Sequence, residues 1–227
     1  MPRIPHQRFE GKSGLGPRGD VIVEADWAVG QFLDELDKLG LAENTIIIFS
    51  SDNGPVLNDG YYDQAEELIG DHTPSGGLRG GKYSLFDAGT HVPFMVRWKG
   101  TIEPKVSDAL VSKLDFTASF AALTEQENTT PDSQNILDAL LGKSEIGRSG
   151  LLLGQGGITT YRKGDYVLIP PHNGTKINEN VNIETGRDTV IQLYNIKTDR
   201  GQQNNIANQN PEIVEELLKE IDKINSK

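Results

Sequence analysis

The run Thr45-Ile46-Ile47-Ile48-Phe49 constrains this chain most, because it carries no charge and is β-branched at four of its five positions, the pattern of a strand covered on both faces. Before it, Val21, Val23, Trp27, Val29, Phe32, Leu33, Leu36 and Leu39 recur at helical spacing from Asp20 onward, closed by Gly40 as a C-cap glycine. Helix followed by buried strand predicts an α/β fold built on a mostly parallel sheet. The strand runs into Ser50-Ser51-Asp52-Asn53-Gly54, so two oxygen-bearing side chains stand just past its carboxyl end, where open α/β sheets receive their ligands.

The surrounding segments extend this reading. Residues up to Gly19 are rich in Gly, Pro, Arg and Lys and read as an irregular connector, and residues 55–81 show no sustained period, as in a long site-forming loop. A second strand is expected over Phe94-Met95-Val96-Arg97-Trp98, with Pro93 tolerable at its start, and a helix over Val111 to Leu123. The polar stretch Thr124 to Gln134 marks a boundary, which divides the chain into 1–124, the C-terminal part of a parallel sheet flanked by helices, and 125–227, a small antiparallel-sheet subdomain. In the latter, 151–153, 158–161, 166–169 and 190–194 read as short strands. A closing helix begins at Pro211, with Asn210 as N-cap and Ile213, Leu217, Leu218, Ile221 and Ile224 on one face.

Composition excludes several classes. The formal charge of -11 opposes non-specific attraction to nucleic acid or to an anionic membrane surface, so an anionic substrate must be held by local cations. The absence of cysteine excludes disulfides, thiolate metal sites and thiol nucleophiles. No apolar run reaches about 18 residues, and the Met1-Pro2-Arg3-Ile4 start lacks a secretory pattern.

Three groups of residues carry candidate chemistry. Asp52 and Asn53 are hard oxygen donors that suit calcium or magnesium, and the same residues with Gly54 also suit a plain turn. Lys82, with Arg79 three residues earlier, lies in a glycine-rich loop that fits sulfate or phosphate, or forms a solvated surface loop. His72 has a side chain suited to proton transfer or substrate hydrogen bonding, whereas His91, just before a strand, is expected to pack or pair structurally.

The order of these segments resembles the sulfatase family of the alkaline-phosphatase-like superfamily over nearly the whole chain. The resemblance is carried by Ser13 to Asp20, by Asp26 and Gly30 in the helix, by Ser51-Asp52-Asn53-Gly54, by Leu78-Arg79-Gly80-Gly81-Lys82, by Val92-Pro93-Phe94 through Gly100, by Asp115-Phe116-Thr117, and by Leu193-Tyr194-Asn195 with Asp199. It implies that Asp52 and Asn53 ligate calcium or magnesium and that Lys82 contacts the sulfate. The implied substrate is a sulfated small molecule or a sulfated glycan, hydrolysed at the ester. The resemblance also implies a formylglycine nucleophile, formed from a Cys or Ser with Pro two residues later and then Arg, and the 227 residues contain no such precursor. The paired N-terminal aspartates of the family's metal site likewise have no counterpart, and His91 and Ala88 stand where Arg and Gly are more usual.

Because members are roughly twice this length, the expectation is a C-terminal half, inactive alone and completed by a missing N-terminal half, whose full-length parent is periplasmic or extracellular. A phosphate-ester or phosphonate hydrolase is the first competing reading, and Asn53 where those relatives carry His speaks for the sulfatase. A non-catalytic module binding sulfate or a sulfated glycan around Arg79 and Lys82 is the second.

Overall fold

Pro17 and Asp20 start the first long helix, α1 (Gly16–Lys38), four residues before the expected Asp20 start. Proline at the first turn loses no hydrogen bond there, and the buried Asp20 carboxylate accepts from the backbone NH groups of Gly11 and Ser13, both at 2.8 Å, and from Ser13 Oγ at 2.7 Å. These bonds convert the glycine-rich connector into an ordered entry to the helix, and those from Ser13 hold the Asp20 carboxyl below the usual carboxylate range. At the other end Gly40 takes φ +69°, its NH reaching Asp37 O and that of Leu41 reaching Leu36 O at 2.9 Å, the paired closure that a glycine just past a helix makes possible.

The computed structural model describes residues 3–155 and 158–226; Met1 and Pro2, cited for the absent secretory pattern, lie outside the described residues. It divides into two units that interleave along the chain, Met1–Thr45 with Ser51–Pro93 and Gly174–Arg187, and Ile46–Ser50 with Phe94–Asn173 and Asp188–Lys227. Residue 124 falls inside the second unit.

The first unit holds α1, the long loop 51–93, and a short hairpin that contributes two strands, residues 177–178 and 183–184, paired antiparallel. Apolar side chains of α1 are only partly covered: Trp27 is 42% and Phe32 56% exposed, and the Arg8 guanidinium stacks 3.4 Å from the Trp27 ring centroid.

In the second unit, β1 (Ile47–Ser50) pairs with β2 (Phe94–Arg97) in antiparallel register, Ile47 opposite Arg97 and Ser50 opposite Phe94. The expected parallel sheet is therefore not formed among the described residues. Parallel neighbours need a crossover, usually a helix, whereas the 43 residues between β1 and β2 hold only turns and one short 3-10 segment. The strands are also not covered on both faces, since Phe49 and Met95 remain exposed.

Farther on, α2 (Phe116–Leu123) follows a fully buried Asp115, whose carboxylate pairs with Arg148 and accepts from Gln134 N at 2.9 Å. The short α3 (Leu137–Leu140) packs beside α2, with Ile136 and Leu140 against Phe94 and Phe116.

The expected small antiparallel sheet forms. Strands β3 (Leu151–Gln155), β4 (Ile158–Lys163), β5 (Tyr166–Ile169) and β8 (Gln192–Asn195) lie in that order, each pair antiparallel, with the first unit's hairpin providing β6 (Ile177–Asn178) and β7 (Ile183–Glu184). The closing helix α4 (Pro211–Asn225) sets Leu217 and Ile221 against Tyr161, Leu168 and Leu193, while Ile224 on the same predicted face stays exposed. Asn210 occupies the cap position, but its side-chain amide donates to Ile206 O instead of capping. No helix among the described residues is long and apolar enough to cross a membrane.

Candidate functional site

The chain leaves β1 at Ser50 and turns at once. Asp52 Oδ1 accepts from Asn53 N at 3.0 Å, Ser51 Oγ donates to Asn53 O at 3.0 Å, and Asn53 Nδ2 donates to Gly54 O at 2.9 Å. The turn therefore forms, and the bonds that make it use the amide nitrogen and one carboxylate oxygen. Asn53 Oδ1 and Asp52 Oδ2 accept no hydrogen bond among the described residues, and Asp52 is exposed. Two hard oxygens fit calcium or magnesium and give zinc nothing it prefers. They are a partial set, since calcium takes about 6 to 8 oxygens, and no group of three His, Cys, Asp or Glu able to hold a metal occurs among the described residues.

Gly54 explains why this turn meets the glycine-rich loop. Its NH donates to Gly89 O at 2.9 Å, and a Cβ built on it meets Ala88 O at 1.8 Å, so only glycine permits the approach. One residue on, Pro55 O accepts from Lys82 N at 2.9 Å. These two backbone bonds fasten Asp52-Asn53 to the segment carrying Lys82.

Lys82 is half-buried, has no carboxylate partner among the described residues, and its ammonium lies 5.2 Å from the Tyr83 ring centroid. The Gly81–Ser84 turn is closed by Ser84 N donating to Gly81 O at 3.0 Å, and its third residue, Tyr83, has φ +73°. For a side chain as large as tyrosine that conformation costs about 1–2 kcal/mol.

Arg79 lies on the same segment but is engaged. Its guanidinium grips Glu184 through Nε at 2.8 Å and Nη2 at 2.6 Å and stacks 4.0 Å over the Phe86 ring. The Arg79 hydrogen bonds hold the Glu184 carboxyl below the usual range. With Ser84 Oγ donating to Glu184 O at 2.6 Å and Leu85 N to Thr185 O at 2.9 Å, the loop is laced to β7. Arg79 thus braces the loop, and Lys82 is its unpaired cation.

His72 is exposed, its backbone NH bonded to Ile69 O, and no hydrogen bond links its ring to Asp52, Asn53 or Lys82. His91 pairs structurally as expected, its Nδ1 2.7 Å from the buried Asp87 carboxylate. Two features escaped sequence reasoning. Glu184 lies 105 residues from Arg79 and no local pattern points to it; Tyr83 was visible, as a non-glycine residue in a Gly-Gly-Lys-Tyr-Ser turn.

Comparison with known proteins adds the following. A family model described as Sulfatase matches residues 5–126. An N-acetylgalactosamine-6-O-sulfatase of Bacteroides thetaiotaomicron is 45% identical over 231 residues, covering 100% of this chain and 45% of its own length. Arylsulfatase A of Bos taurus is 36% identical over 153 residues, covering 66% of this chain and 28% of that protein. A solved Bacteroides thetaiotaomicron structure, from work on the metabolism of multiple glycosaminoglycans, superposes on 100% of this chain and 48% of its own with TM-score 0.96 at 44% identity. The chain thus spans about half the length, or less, of the relatives it matches.

Proposed function

Since this chain belongs to the sulfatase family, we propose that it forms the metal-ligating and sulfate-gripping side of a sulfuric-ester hydrolase acting on a sulfated sugar. One observation carries the reading: the backbone bonds Gly54 N to Gly89 O and Lys82 N to Pro55 O lay an Asp-Asn pair alongside an unneutralised lysine. Asp52 and Asn53 would hold a calcium or magnesium ion through Oδ2 and Oδ1. When bound, such an ion supplies positive charge against the sulfate and the departing oxygen. Lys82 donates to a sulfate oxygen and adds a second positive charge on the same group. Arg79 keeps the loop fastened through Glu184, and either Arg79 or His72 reaching the substrate would add a further hydrogen-bond donor to it.

The sugar is supported by the Bacteroides relative, named for N-acetylgalactosamine 6-O-sulfate chemistry. The formylglycine precursor is absent from these 227 residues, so we propose that the nucleophile is supplied by sulfatase sequence outside them and that this chain alone does not turn over substrate.

The test is calorimetric titration of the chain with calcium, magnesium and inorganic sulfate. Calcium or magnesium binding should be lost in Asp52→Ala with sulfate binding weakened, and sulfate binding should be lost in Lys82→Ala with metal binding kept. Wild-type protein that binds neither ion overturns the assignment.

A further inference from the structure

Tyr83 combines a strained backbone with an exposed side chain. The turn from Gly81 to Ser84 has φ +73° at its third residue, a conformation that such turns give to glycine. From Ser84 to Gly89 every residue is buried, yet the Tyr83 ring is 55% exposed, and its hydroxyl finds no hydrogen-bond partner among the described residues. The Lys82 ammonium lies 5.2 Å from the centroid of the Tyr83 ring. A strained, uncovered aromatic ring beside a cation without a counter-ion is a surface shaped for something bound there.

We infer that Tyr83 is a specificity-determining residue, which stacks its ring against the pyranose ring that bears the sulfate while Lys82 holds the sulfate itself. The inference rests on the proposed role of Lys82. A sulfate ester anchored at the ammonium has its carbon skeleton one ester bond away, within reach of the adjacent aromatic face. That face carries partial negative charge, which suits the C–H edge of a sugar ring, while the polar rim of the sugar stays in water. Inorganic sulfate has no skeleton and gains nothing from the ring. The site should therefore distinguish a sulfated sugar from sulfate alone through this residue.

The experiment titrates the calcium-loaded 227-residue chain with inorganic sulfate and, separately, with N-acetylgalactosamine 6-sulfate, following NMR chemical shifts, for wild type, Tyr83→Gly, Tyr83→Asn and Tyr83→Phe. The wild type should bind the sugar sulfate more tightly than sulfate. Tyr83→Gly and Tyr83→Asn, which both tolerate positive φ, should melt no lower than wild type, bind sulfate unchanged, and lose about tenfold in affinity for the sugar sulfate. Tyr83→Phe should keep both affinities. Equal affinity of wild type and Tyr83→Gly for the sugar sulfate, with sulfate still bound, overturns the inference and leaves the Lys82 assignment standing. An equal loss on both ligands also overturns it, since Tyr83 then acts only by holding Lys82. Wild-type protein that binds neither ligand removes the proposed function and this inference together.

Discussion

Among the described residues Lys82 has no carboxylate against it, in a chain with 33 acidic and 22 basic side chains besides four histidines. A lysine held unneutralised in a laced loop is suited to an external anion. Lys82→Ala should therefore weaken sulfate binding at least about tenfold while changing unfolding free energy by less than about 0.5 kcal/mol, measured by titration and by urea denaturation of the same samples. Arg79 answers differently, because its guanidinium is spent on Glu184. That difference between neighbouring cations was not legible in the sequence. The turn at Asp52-Asn53 and the glycine-rich loop of Lys82 were, since turn chemistry and glycine-rich loops are written in adjacent residues, whereas the partner of Arg79 lies 105 positions away. The Glu184 carboxyl has its folded pKa lowered by Arg79 from an unfolded value of about 4.3. Its contribution is complete above that value and is lost as pH falls through the folded one. Because the Glu184 side chain is 47% exposed, solvent screens the pair to about 1 kcal/mol or less. Wild type should thus exceed Glu184→Gln by about that amount in denaturation at pH 7, and the two curves should converge once the pH has fallen below the lowered folded pKa.

At the level of elements, the run 45–49 announced a strand correctly and said nothing reliable about its neighbour. Hydrophobic pattern reports that a strand is flanked by apolar surface, but pairing direction is set by the connection, and here β1 meets β2 antiparallel after a loop without a crossover helix. The small antiparallel sheet and α4 were legible because short strands separated by Gly, Asn and Pro, and a helix opened by Asn-Pro, carry their boundaries with them. Packing of α4 follows from Leu217, 2% exposed against the β4, β5 and β8 side chains. Leu217→Ala should cost about 2–5 kcal/mol in chemical denaturation with sulfate affinity unchanged in the folded fraction. Gly54→Ala belongs to the same scale but should touch both properties. Its Cβ would meet Ala88 O at 1.8 Å, so the contact between the Asp52-Asn53 turn and the Lys82 segment must open. The expected loss is about 3 kcal/mol, accompanied by weaker binding of calcium and sulfate. Unaltered binding in a folded Gly54→Ala protein would show that the two segments need not touch to form the site.

For the molecule as a whole, the proposed roles separate binding from chemistry. The groups proposed to grip lie in residues 52–54 and 79–89, which follow the end of β1 and are pinned to one another by backbone hydrogen bonds. For the attacking group, the chain has no cysteine and no serine with proline two residues on, and the nucleophile is proposed to come from outside these residues. Sulfate-ester hydrolysis needs a nucleophile as well as charge stabilisation, and oriented cations without one stabilise a charge that never develops. The chain should consequently bind calcium and sulfate yet release no sulfate above the buffer rate from an aryl sulfate or from N-acetylgalactosamine 6-sulfate, as read by ion chromatography over hours at saturating calcium. Sulfate release above that rate, abolished by Lys82→Ala, would mean that a residue of this chain attacks the ester, and the proposal of a nucleophile from outside these 227 residues would then be given up.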